Sequence, residues 1–299
     1  MERARSFDSF FTRISSVKNS RSSALHRCPD WQGGGVVVIA RHQQLLEQLR
    51  LSTLPQVKAY QGDSVKQQRG RRDVFRIQGT DDRNEPVTLF LKRTWRPYKK
   101  DGIKSLFRLG RVTSISHLEW QNSEALHAAG IPTGTLVSWG EDCGLLWERF
   151  SYIITEAARG EQTVQQFLST CQDRQERRRV FDALARFVGR MHEAGLSTPD
   201  LFTRHVFLDA RRDPPEFCLI DMARLDRGRT TSIRRRARDL AALNITAPLR
   251  YVSTRERLRF LRVYAGPQHK ALYRAVRRRV EKLLPRRRFK DFAPPPIAK

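Results

Sequence analysis

The spacing of apolar positions divides this chain into two stretches of different period. Val36 to Ala40 is an apolar run of strand length, and Leu45, Leu46, Leu49 and Leu51 then line one side of a short amphipathic helix. From about residue 56 alternation takes over. Residues 57–61, 74–77 and 87–92 predict three antiparallel strands, joined by a polar turn over 62–72 and by 79–86, which is dense in turn formers. A helix is expected over 116–129, where Leu118, Ala125 and Leu126 supply apolar positions and Gly130 the stop. Segments 135–138, 144–148 and 151–156 read as further strands, with a turn at 140–142, and 157–160 reads as a hinge.

Beyond residue 160 the period becomes helical. Helices are expected over 163–170 and 177–194; in the second, Val180, Leu184, Phe187, Val188 and Met191 recur at helical spacing and Gly195 caps the end. Short strands at 205–208 and 217–220 precede helices at 233–244, 254–264 and 268–284. The expected fold class is α+β with two lobes: a small antiparallel β-rich lobe carrying one helix, then a larger, mainly helical lobe. The boundaries read as a basic arm with short helices over 1–50, with one of them near 7–17, the lobes over 51–158 and 159–285, and a basic, proline-rich, disordered tail over 286–299. No internal repeat interrupts this order. A cleft between two lobes is a common nucleotide site.

Composition narrows the setting. With 39% hydrophobic residues among 299, the chain can build a core. Its four cysteines are scattered without a CxxC pair, which argues against structural zinc or a disulfide framework. No apolar run approaches the roughly 18 residues that span a bilayer, and the first residues lack a secretory signal pattern, so a cytoplasmic protein is expected. The net charge of +26 changes the picture more. Basic runs at 69–72, 92–100, 234–236, 277–279 and 286–290 predict attraction to polyanions, including an anionic glycolipid and the inner face of the cytoplasmic membrane as a peripheral site. Nucleic acid rests on charge alone, because no zinc-finger spacing or RNA-recognition motif is present.

The candidate chemistry lies in three places. Asp200-Leu-Phe-Thr-Arg-His205 follows a helical segment and a proline, and Asp221 follows the apolar pair Leu219-Ile220. That order suits phosphoryl transfer, in which one carboxylate takes the acceptor proton and another holds a metal ion. Lys92 ends an apolar strand, from which a lysine can reach nucleotide phosphates, and an acid on the following helix would orient it. Glu119 is preferred for that role, with Glu124 as competitor. The turn 62–72 brings Gly62 and Gly70 as flexible positions near phosphate, together with Lys66, Arg69, Arg71 and Arg72, without forming a GxGxxG motif.

Together, Leu89-Phe-Leu-Lys-Arg93, Leu118-Glu-Trp120, Ala129-Gly-Ile-Pro132, Ile153-Ile-Thr-Glu156, Met191-His-Glu-Ala-Gly195, Asp200 to Leu208, Leu219-Ile-Asp221 and Arg238-Asp-Leu-Ala-Ala-Leu243 resemble the lipopolysaccharide kinase family, the Kdo/WaaP type, over about residues 55–265. The resemblance implies a protein-kinase-like fold, ATP with Mg²⁺ or Mn²⁺, and transfer of the γ-phosphate to a sugar hydroxyl of a lipopolysaccharide core or related glycolipid. It also implies Asp200 as catalytic base, Asp221 and His205 as metal-side ligands, and Lys92 paired with Glu119 at the ATP phosphates; Gly62, Gly70 and Glu156 are expected as further cofactor-binding positions. Asp239 would brace the catalytic loop. Three departures stand out: Thr198-Pro199-Asp200 replaces His-Arg-Asp or His-Gly-Asp, Asp221-Met-Ala223 replaces Asp-Phe-Gly, and His205 stands where protein kinases carry Asn. These keep a pseudokinase or nucleotide-binding regulator, and a protein Ser/Thr/Tyr kinase, as alternatives.

Overall fold

The computed structural model describes residues 25–27, 36–68, 70–81, 83–95, 113–144, 147–247, 251–286 and 289. The helix expected near 7–17 and the tail from 290 lie outside them. The first lobe is built on a seven-stranded sheet of order β1-β2-β6-β7-β5-β4-β3. Its strands are β1 (Leu25–Arg27), β2 (Val36–Ile39), β3 (Ser64–Gln68), β4 (Arg72–Thr80), β5 (Pro86–Trp95), β6 (Leu136–Cys143) and β7 (Glu148–Glu156). All neighbouring pairs are antiparallel.

Two short helices, α1 (Gln43–Gln48) and α2 (Leu54–Ala59), cover one face of the sheet. Leu45, Leu46, Leu54 and Val57 pack there with Phe75, Leu89, Leu91 and Tyr152. Residues 36–48 are thus part of the sheet and its core, although the sequence groups them with a basic arm. The alternation over 57–61 ends in a helix, and the first strand of the meander is β3 instead. The local signals for that helix are Pro55 in its first turn and the Gln56 side chain, which accepts from the Thr53 N–H at 3.1 Å. Arg93, buried in β5, donates to the carbonyls of Val57, Lys58 and Tyr60 at 2.9, 2.9 and 3.0 Å and so closes the other end. Residues 140–142 continue β6, where a turn was expected, because β6 keeps pairing with β7 as far as Cys143.

The opposite face carries α3 (Ile115–Ala128), whose Trp120 meets Leu136, Trp139 and Ile153. The loop after α3 is the link to the second lobe. Gly130 turns there with φ +69°, Ile131 enters the helical core, and the Pro132 carbonyl accepts from Leu219 N at 2.9 Å.

That second lobe is organised around α5 (Arg174–Glu193), with α4 (Val164–Thr170), α6 (Ile233–Ile245), α7 (Thr254–Ala265) and α8 (His269–Leu283) sharing one apolar core. Two small sheets line its cleft side. One has the order β11-β10-β8, from β8 (Gln162–Thr163), β10 (Val206–Asp209) and β11 (Glu216–Leu219); the other pairs β9 (Leu196–Ser197) with β12 (Asp226–Arg227). Gly195 makes the second possible. Its φ is +77°, and a Cβ there would lie 1.8 Å from the Gly228 carbonyl oxygen, so only glycine lets the two backbones meet.

Candidate active site

Lys92 lies in β5, in register with Ile153 of β7. Leu89 and Leu91 point to the α1–α2 side, so strand alternation turns Lys92 to the α3 side. Its Nζ donates to Glu119 Oε1 at 2.6 Å, and both side chains are largely buried. Glu124, the competing acid, is exposed. The N-terminus of α3 is held by two carboxylates from the sheet. Glu141 accepts from Ser114 N at 3.2 Å, and buried Glu148 accepts from Ile115 N at 3.1 Å. Burial pushes the Glu141 carboxyl up, but the hydrogen bonds from His117 and Ser114 outweigh it and hold the group below its ordinary value.

Arg72 opens β4 two residues after Gly70, which turns with φ +65°. Its Nη2 lies 3.4 Å from Asp221 Oδ1 and 3.9 Å from Glu119 Oε2, so it sits between the two acids. The side chain counted among the basic residues of the turn is thereby inside the cleft. Gly62 is outside the turn, before β3, against the Tyr60 ring. Glu156 is also placed away from the lysine. It pairs with Leu89 across the sheet, on the face opposite Lys92, and its carboxylate binds Arg41 at 3.0 Å and His42 at 2.8 Å. The hydrogen bond from His42 is the main reason its pKa is lowered.

Asp221 adopts φ +60°, a left-handed backbone that costs a non-glycine residue about 1 kcal/mol or more. Asn122 of α3 donates to the carbonyls of the next two residues, Met222 at 2.8 Å and Ala223 at 3.3 Å, and Met222 is buried. Burial alone would raise the Asp221 pKa. The charges of Lys92 and Arg72, with the hydrogen bond from Arg72, overcome that and hold the carboxyl below its ordinary value, so it is ionised at neutral pH. His205 Nδ1 donates to the Asp200 carbonyl at 3.0 Å, and its Nε2 accepts from Arg204 Nε at 3.3 Å and lies 4.0 Å from Asp221 Oδ2. Burial lowers the His205 pKa, so the ring is neutral there and able to act as a ligand.

Asp200 is mostly buried and close to this group through His205. Its own backbone N–H donates to Thr198 Oγ1 at 3.2 Å, and Thr198 N donates to Asp239 Oδ2 at 2.7 Å. Asp239, fully buried in α6, also receives Arg238 Nε at 2.7 Å and lies 3.2 Å from His192 Nε2. His192, at the end of α5, bonds Tyr264 through Nδ1 at 2.6 Å. The loop thus lacks the His and Arg of His-Arg-Asp but is braced by His192 from the preceding helix. Arg224, three residues after Asp221, grips both carboxylate oxygens of Asp200.

The structure therefore brings Lys92, Glu119, Asp221, His205 and Asp200 to one cleft, and leaves Glu156 and Gly62 outside it. Sequence reasoning missed Arg224, Asn122 and His192. His192 stood within the Met191–Gly195 motif, so its position was visible although its role was not.

The profile of the lipopolysaccharide kinase (Kdo/WaaP) family matches residues 55–264. The chain belongs to that family. The lysine strand, the glutamate helix, the Asp200 loop and Asp221 all lie within the matched span. The lipopolysaccharide core heptose(I) kinase WaaP of Pseudomonas aeruginosa is 33% identical over 154 residues, 49% of this chain. The chain spans about 58% of that relative's length. A solved structure of WaaP in complex with acyl carrier protein superposes with a TM-score of 0.59 at 27% identity, covering 83% of this chain and 98% of that one. The kinase-like two-lobed architecture follows from that likeness. Among the described residues, no helix is long and apolar enough to cross a membrane.

Proposed function

We propose that this chain is an ATP-dependent kinase that phosphorylates a sugar hydroxyl of a lipopolysaccharide core. The observation that carries the reading is the convergence of a buried Lys92–Glu119 pair, an ionised Asp221 and the Asp200 loop on one cleft. Lys92, oriented by Glu119, binds nucleotide phosphate, and Arg72 adds a second positive charge beside it. Asp221, with the neutral His205 beside it, would hold a divalent cation together with the phosphates, since Mg²⁺ sites need only one or two protein ligands. When bound, Mg²⁺ offsets the charge of the transferred group. Asp200 accepts the proton of the attacking sugar hydroxyl.

The relative's complex extends the proposal to a partner, an acyl carrier protein. The helical lobe holds a cavity of about 250 Å³ lined by Leu168, Phe181, Leu184, Leu240, Phe260 and Val276, whose chemistry suits an acyl chain. The high positive charge supports a peripheral site on the inner membrane face. Salt-sensitive binding to anionic but not neutral vesicles is the expected result there.

The deciding experiment is ATP consumption screened against lipopolysaccharide core fragments, other glycolipids and protein substrates. Phosphate on a core sugar is expected. Transfer to protein alone would replace the reading with a protein kinase, and ATP binding without transfer to any acceptor would replace it with a nucleotide-binding regulator.

A further inference from the structure

The contact between Arg224 and Asp200 has no part in the chemistry described so far and stands in its way. Both oxygens of the catalytic carboxylate are engaged by one guanidinium. With that guanidinium across both oxygens, an acceptor hydroxyl approaching the carboxylate meets Arg224 first, and moving it aside opens the base. The geometry allows that movement in the side chain alone. On one flank the carbonyls of Met222 and Ala223 are fixed by Asn122 of α3. On the other, Leu225 is buried, and Asp226 and Arg227 pair with Ser197 and Leu196. The Arg224 side chain between them is 57% exposed, whereas that of Asp200 beneath it is 12% exposed. Arg204, the cation of the Asp200 loop itself, is turned aside: it lies over the Phe202 ring and bonds His205 Nε2 at 3.3 Å.

Moving a guanidinium off a carboxylate is unfavourable unless another oxyanion receives it, and phosphate and carboxylate are its best bidentate partners. A neutral sugar offers neither. We propose that Arg224 is an acceptor-binding residue that selects a sugar carrying an oxyanion, phosphate or carboxylate, beside the hydroxyl to be phosphorylated. The acceptor anion takes the guanidinium and in the same exchange uncovers Asp200. The inference rests on the kinase reading above and adds the chemical class of the acceptor. It also assigns the two ends of the cleft different cations: Arg72 serves the nucleotide and Arg224 the acceptor.

The test uses the full chain with Arg224→Gln and Arg224→Lys. Three acceptors separate the anion's source: intact core fragment, the same fragment treated with phosphatase, and the fragment with its carboxylates reduced to alcohols. For wild type, removing the relevant anion raises the acceptor KM. Arg224→Gln is expected to raise the KM for the intact acceptor about 10- to 100-fold, the loss of one charge-assisted contact. It also erases the preference among the three fragments and leaves the KM for ATP within about twofold. Arg224→Lys restores part of the loss, because a point charge replaces a fork. ATP hydrolysis without acceptor rises in Arg224→Gln, since water then reaches Asp200. An unchanged ATP KM and thermal midpoint show that the variant is folded. An unchanged acceptor KM overturns the proposal, as does an equal fall in kcat on all three fragments, which would place Arg224 on the transferred phosphoryl. If wild type phosphorylates none of the fragments, the kinase reading fails. Equilibrium binding of the fragments still decides Arg224 in that case: loss of anion preference in Arg224→Gln upholds the inference, and equal binding to wild type and variant overturns it.

Discussion

The Lys92–Glu119 and Arg224–Asp200 pairs of the cleft have similar chemistry and opposite settings. Lys92 and Glu119 are 16% and 6% exposed, each on a regular element, and they face each other across the interior of one lobe. Arg224 and Asp200 form an equally direct pair, but its cation stands mostly in solvent on an irregular segment. An ion pair with both members withdrawn from water is hard to open, because either partner alone would be left charged and unpaired. A pair with one member in solvent can hand that member to another oxyanion, because its cation never has to leave water. On the proposed reading, the nucleotide end of the cleft is built in advance and the acceptor end is rearranged by what binds there.

Substitutions can break this contrast at either end. The largest effect is expected from Asp200→Asn, which removes the proposed base: kcat falls about 10²- to 10⁴-fold in steady-state assays, while the KM for ATP stays unchanged. Glu119→Gln attacks the fixed end. It strands Lys92, so unfolding in denaturant should show a loss of about 3 kcal/mol, and the KM for ATP should rise while that for the acceptor does not. Equal effects of Glu119→Gln on both KM values would remove the distinction between the ends.

His205 joins the ends and gives a pH signature. Its folded pKa lies below the unfolded value of about 6.5. The unfolded chain therefore takes up the proton first, so the neutral ring's contribution to stability is complete above about pH 6.5 and is lost as pH falls through the lowered folded value. Metal-dependent ATP affinity should fall about tenfold per pH unit below that value, and His205→Gln should flatten the limb. The smallest effect is expected from Gly70→Ala. No neighbour would meet the new Cβ, so the cost is the φ of +65° alone, about 1 kcal/mol in thermal unfolding with kinetics at the acceptor unchanged.

The helical lobe was legible because its periods are long: five helices and the β10–β11 pair lie where the spacing put them, whereas the two-residue strands β9 and β12 carry no period to read. The first lobe was harder. The alternation of residues 57–61 outweighed the cap signal at Thr53–Gln56, and a helix of six residues leaves little period to read. Residues 140–142 look like a turn by composition, yet Glu141 is needed in β6 to hold Ser114. Lys92, Glu119, Asp200, His205 and Asp221 were readable because each stands in a spaced motif. Arg224 was not. It is one cation among 57, and only the tertiary path of the segment after Asp221 brings it onto the base.

A regulated kinase needs a part with two resting places of comparable free energy, usually the helix that carries the glutamate. Here that helix is tethered along its length: Glu141 and Glu148 at its start, Lys92 at Glu119, and Asn122 on the backbone of Met222 and Ala223. Rotating it outward would break all of these contacts at once, so they hold the helix in place together.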